Sequence, residues 1–143
     1  MNLVDLLCDE TDSSLRMELL ESLVKGLQFY VTNLFADSGR PRFQFAPPVD
    51  YPADIYCSGE SLTLLCDIEH VSGMLNPELL AHVRRLRRKI VRWTVNHMQN
   101  RDGSFCYRLY TWGRINPRSI RWGQAIMLKA LARLLLYETK SKD

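Results

Sequence analysis

The stretch NPELLAHVRRLRRKIVRWTVNH (residues 76–97) decides how the chain is read. Asn76 is a good N-cap, Pro77 suits the first helical position, and Glu78 places a negative charge in the first turn. Leu79, Val83, Leu86, Ile90 and Trp93 then follow in a 4-3-4-3 pattern as far as His97. That spacing predicts one buried stripe on an amphipathic helix. Arg84, Arg85, Arg87, Arg88, Lys89 and Arg92 occupy the polar faces. Such a run suits a solvated outer face, with its stems lying along a neighbour. It also suits phosphate binding, but no aromatic platform or nucleic-acid motif accompanies it, and nucleic acid is not expected as a partner.

Working outward, three more helices are expected. One runs from Ser13 or Ser14 to Leu34, one from about Ile55 to Val71, and one from Ser119 or Ile120 to about Tyr137. The last has few charges and reads as buried on most sides. Two long aromatic connections separate them, 36–54 and 100–118, and loops of that length carry function or short strands. Phe43-Gln44-Phe45 and Phe105-Cys106-Tyr107 each suit one rung of a small hairpin. The fold class expected is all-α, built of helical hairpins, with minor β character in the long loops.

Of 143 residues, 46% are apolar and 24% charged, with a net charge of +3, which fits one ordinary globular domain. No apolar run approaches the ~18 residues of a bilayer span, and the acidic N-terminus is unlike a signal peptide. The four cysteines, Cys8, Cys57, Cys66 and Cys106, show no C-x-x-C spacing and read as reduced thiols of a cytoplasmic protein.

The chain also reads as two copies of one unit. The step from Gly39 to Gly103 equals the step from Gly59 to Gly123, so the two glycine pairs are in register. At the same offset Phe43 meets Tyr107, Glu60 meets Gln124 and Leu64 meets Leu128. Unit one covers about 13–75 and unit two about 76–138, within one helical domain spanning 1–143. Stacked hairpins generally need ~3 or more units to close a core. The expected partners are therefore copies of the chain or the remainder of a longer array.

The second unit contains Gln99-Asn100-Arg101-Asp102-Gly103-Ser104-Phe105, a Q-x-x-D-G-S-F pattern at a helix end, followed by Arg121-Trp122-Gly123-Gln124-Ala125. Gly103 suits the left-handed position that ends a helix, and Gln99 can satisfy helix-end groups. This pattern resembles the repeat of the α/α toroids, which include six-hairpin glycosidases, terpenoid cyclases and protein prenyltransferases. It is most similar to bacterial toroid proteins associated with surface-polysaccharide synthesis. A complete toroid has about six hairpins, so the resemblance implies that this chain corresponds to the C-terminal third. It implies a carbohydrate-related module without a complete active site of its own. The alternatives are a non-catalytic assembly module and a fragment of a terpenoid-cyclase or prenyltransferase-like toroid.

In such toroids the inner-helix N-termini and their preceding loops face the cavity, where positive helix ends suit anionic or hydroxyl-rich ligands. On this chain that surface holds Asp54, Tyr56 and Glu60 from unit one. Unit two adds Tyr107, Arg108, Tyr110, Trp112, Arg121, Trp122 and Gln124. Aromatic faces beside directional hydrogen-bonding groups are what a saccharide site uses. The other reading of the same aromatics is a small core under long loops. Asp54 and Glu60 are the candidates for a general acid/base pair, although Asp54 also suits a helix N-cap. Cys57, Cys66 and His70 do not form a metal-ligand pattern, and no metal, cofactor or membrane partner is expected. His82 and His97 read as packing or rim residues.

Overall fold

The computed structural model describes residues 13–116 and 123–140. Within them the chain is mostly helical, with short antiparallel strands in the two long connections. The element order is α1 (Ser13–Asn33), β1 (Gln44–Phe45), β2 (Pro48–Val49), β3 (Ala53–Asp54) and α2 (Ile55–Asp67), then a 3-10 segment (Ile68–Met74). After it come α3 (Pro77–Met98), β4 (Arg108–Tyr110), β5 (Gly113–Ile115) and α4 (Ala125–Lys140).

Local chemistry accounts for the boundaries. Asn76 Oδ1 accepts from the Glu78 amide at 2.7 Å, and Pro77 opens α3. The five stripe residues from Leu79 to Trp93 are all buried. His97 is exposed and stacks on the Trp93 ring at 5.0 Å. The second helix tightens after Asp67, where Val71 leaves helical geometry (φ −111°, ψ 15°). Gly103 does not cap α3 directly. The helix stops at Met98, Gln99 is extended, and Gly103 (φ +86°) instead closes the following turn, its amide donating to Asn100 O. Gln99 Nε2 donates to Gly103 O at 3.1 Å, so the glutamine braces that turn.

The same hydrogen bonds occur in both long loops, at the glycine offset. Ala36 N donates to Arg40 O (2.9 Å) and Asn100 N to Ser104 O (2.7 Å). Gly39 N donates to Ala36 O and Gly103 N to Asn100 O. Arg42 N donates to Leu34 O and Cys106 N to Met98 O. Isolated bridges join Phe35 to Pro41 and Gln99 to Phe105. Gly39 (φ +89°) and Gly103 share a left-handed backbone that glycine adopts without steric cost. In the second connection the strands begin at Arg108, so Phe105-Cys106-Tyr107 is not the hairpin rung its composition suggested. Phe105 and Cys106 instead turn inward and are buried.

Helices α2 and α4 lie side by side and parallel. Gly59 faces Ile126 and Gly123 faces Ile55, so each helix approaches the other where it lacks a Cβ. Ile55, Leu62 and Leu65 of α2 and Ile90 of α3 are fully buried. Each such side chain contributes about 1.5–3 kcal/mol through removal from water.

Further along, the Asp67 carboxylate accepts twice from Arg133 Nη1. His70 meets the Tyr137 hydroxyl at 2.8 Å. Glu69 takes Arg84 at 2.7 Å and Arg87 at 3.2 Å, and the Arg84 hydrogen bond leads in holding its carboxyl below the usual range. Burial pushes the neighbouring Cys66 thiol up to about 11, leaving it protonated and inert.

Helix α4 departs from the burial its sequence suggests. This helix is not buried on most sides: Leu128, Leu135 and Leu136 are 64%, 66% and 61% exposed, and Ala125 and Ala132 are exposed with them. Its other face carries Met127 and Ala130 into the core. Among the described residues, α2 covers only that face, and no further hairpin covers the opposite one.

Candidate functional site

The chemistry-bearing side chains of the long loops collect at the start of α2. Strand β3 pairs with β4 so that Ala53 faces Leu109 and Asp54 faces Arg108. Direct cross-strand placement brings opposite charges together. Arg108 Nε donates to Asp54 Oδ2 at 2.9 Å. The second oxygen, Oδ1, accepts from the Tyr56 amide at 2.9 Å and caps α2. Both carboxylate oxygens are therefore engaged. Hydrogen bonds to Asp54, then to Tyr110, hold the Arg108 guanidinium firmly charged, and it lies 4.9 Å from the Tyr107 ring centroid.

The β4–β5 hairpin turns through Thr111 and Trp112, because Tyr110 pairs with Gly113. Trp112 thus sits at the tip, 75% exposed, and stacks on Tyr110 at 4.8 Å with 25° between the planes. An exposed indole braced by a second ring presents a flat apolar face at small entropic cost. Tyr56, also exposed, stands one residue inside α2. The Arg108–Asp54 ion pair, the Tyr107 ring against Arg108 and the Tyr110–Trp112 stack farther along β4 form a ledge, and Tyr56 follows directly on the Asp54 cap.

Gln124 and Glu60 play different parts. The Gln124 carboxamide is taken up by the backbone of Phe105: Oε1 accepts from its amide at 2.9 Å and Nε2 donates to its carbonyl at 2.8 Å. That clamp fastens the second loop to the start of α4. Glu60, separated from Gln124 by the same step as Gly39 from Gly103, is exposed. The loop residue in the place of Phe105 is Pro41, which has no amide hydrogen to give. Glu60 acts electrostatically on the half-buried Tyr30 phenol, whereas Asp54 acts on Cys57. Burial, and then the Asp54 charge, push the Cys57 thiol up. The two carboxylates thus serve different neighbours, and Asp54 is the anchor of a stapled ion pair. Arg121 and Trp122 lie outside the described residues, as does Cys8. Among the described residues, no three His, Cys, Asp or Glu side chains gather as metal ligands.

Sequence reading placed Asp54 and Arg108 on one surface but did not pair them. Their contact depends on strand register between two connections far apart in the chain, which no local pattern encodes. It also missed Tyr110 as the brace for Trp112, although Y-x-W across a two-residue turn is a recognisable signal for such a stack. Comparison of the chain with protein-family models, with curated proteins and with solved structures gives no match, so the site is read from its own geometry.

Proposed function

We propose that the chain is a carbohydrate-related module of the α/α-toroid type, built of two helical hairpin units and binding a saccharide on the ledge at the start of α2. The recurrence of the loop hydrogen bonds, at the interval that separates Gly39 from Gly103, supports the two-unit reading. The observation that carries the function is the Trp112–Tyr110 stack, exposed beside the Arg108–Asp54 pair. Sugar rings stack on such faces, and their hydroxyls bond to charged groups held in place. With both Asp54 oxygens engaged, the ledge is suited to holding a saccharide rather than cleaving it. Surface-polysaccharide fragments are the substrate class the reading favours. It also places the chain in the cytoplasm, where Cys57, Cys66 and Cys106 remain free thiols.

The test is a titration with a panel of acidic and neutral oligosaccharides, followed by tryptophan fluorescence and calorimetry. Trp112→Ala is expected to weaken binding about tenfold, the loss of one aromatic face and its buried area. Its thermal midpoint should stay near that of the parent, because Trp112 is a surface residue. Failure of every saccharide to bind, or full affinity in the variant, removes the reading.

A second reading has its own observation, the exposed face of α4. Leu128, Ala132 and Leu135 follow at intervals of four and three, which is the spacing of a face that packs against another helix. On this reading the chain is an assembly module, adding hairpins from copies of itself or from the rest of a larger array. Light scattering on the purified chain is expected to show an oligomer that Leu135→Glu dissociates. A monomeric mass at high protein concentration counts against self-assembly.

A further inference from the structure

The basic run on α3 is divided by the structure into two sets. Arg84 and Arg87 turn toward Glu69, and Arg87 also reaches Glu138 at 3.5 Å. Among the described residues, no carboxylate forms an ion pair with Arg85, Arg88, Lys89 or Arg92. Two of these four, Arg85 and Lys89, join His82 in lining a cavity of about 160 Å³ between α3 and the end of α1. Their spacing, three and then four along the helix, puts all three on one face of α3.

The cavity is held in shape. Gly39 presses against the backbone of Lys89 and Ile90, and Lys89 Nζ donates to Asp37 O at 2.9 Å. These contacts fasten the loop after α1 to α3 and fix one wall. Val31, Phe35 and Leu86 supply an apolar floor, and all three are buried. Among the described residues, Asp37 is the one carboxylate in the lining. Against it stand the Arg85 and Lys89 cations and the His82 imidazole.

We propose that this cavity is an anion site for a small phosphomonoester with a short apolar stem, the phosphate lying among His82, Arg85 and Lys89. A dianion matches the excess of cations better than a single carboxylate does. The guanidinium offers the planar donor fork that phosphate oxygens favour. The floor takes the stem. The inference is independent of the saccharide reading, since the ledge and this cavity share no residue.

The probe is phenyl phosphate, with inorganic phosphate as the stemless comparison, added to the whole chain and followed by NMR of the imidazole protons. The chain has three histidines, so His82 is read against His70 and His97 in the same spectrum. Saturable shifts at His82 alone are expected, with phenyl phosphate binding more tightly than phosphate. Arg85→Gln should weaken binding about tenfold, the loss of one charge-assisted contact. Arg92→Gln, which removes a cation outside the cavity, should leave binding unchanged. Equal losses in both variants would show attraction to the whole basic helix and overturn the site. Shifts that do not saturate, or that appear equally at His70 and His97, overturn it without any variant.

Discussion

Gly39→Ala is expected to destabilise the chain by about 2–5 kcal/mol, whereas Gly103→Ala should cost only about 1–2 kcal/mol. The two glycines hold nearly the same backbone angle, φ +89° and +86°, in turns with matching hydrogen bonds. Both alanines therefore meet the same left-handed strain. The difference lies in what a new Cβ would touch. At Gly103 there is nothing within 4 Å, while at Gly39 it would lie 2.5 Å from the Lys89 carbonyl carbon and 2.7 Å from the Ile90 nitrogen. A helix backbone in the middle of α3 does not move aside as a side-chain tip does, so overpacking adds to the strain. Denaturant midpoints of the two variants, measured side by side, check this. Equal losses would mean that the loop after α1 does not press on α3 as described.

Arg133→Ala is expected to cost about 3 kcal/mol, and Asp67→Ala distinctly less, although they break the same ion pair. The asymmetry follows from where each partner is left. The Asp67 side chain is 8% exposed and the Arg133 side chain 39%. Without Arg133 the carboxylate loses both hydrogen bonds from Nη1 in a place that water barely reaches. Without Asp67 the guanidinium, on its flexible stem, turns outward into solvent. Asp67→Asn should cost less than Asp67→Ala, since the amide keeps one acceptor for Arg133. Urea titrations of the three variants decide the order, and a larger loss for Asp67→Ala than for Arg133→Ala would contradict the burial described.

Local signals in the sequence were enough for the helices. Asn76-Pro77-Glu78 marks the start of α3 to the residue, and the apolar spacing from Leu79 to Trp93 identifies its buried face. The glycine offset pointed to the paired loops, because a turn that needs positive φ favours glycine and so leaves a mark in the sequence. Burial on α4 was not legible. Apolar residues around a helix read as core until the number of neighbouring helices is known, and that number is not a property of the segment. The ledge was legible as a set of residues and not as a geometry. Tyr56, Tyr107, Arg108 and Trp112 were identified by type, but Arg108 finds Asp54 only through the register of β3 on β4. Gln124 was read as a ligand contact because a loop backbone and a sugar present the same donors and acceptors. The polar cavity lined by Arg85 and Lys89 was hidden inside a run of six basic residues whose division depends on Glu69.

Helix α1 has little to lose on opening at its start. Its buried residues are Leu23, Leu27 and Val31, from its midpoint onward, while Leu15 and Met17 near its start are exposed. Its polar tie to α2 is the Tyr30–Ser61 hydroxyl bond at 2.8 Å. By contrast α2 buries nine of its residues. Stability is therefore uneven along the chain, and the amides of early α1 are expected to exchange with solvent through local fraying rather than whole-chain unfolding. The cavity beneath Val31 exists only while the end of α1 is docked. Any ligand there binds the docked population alone, so its apparent affinity is scaled by that fraction and its binding slows the exchange of the helix above it.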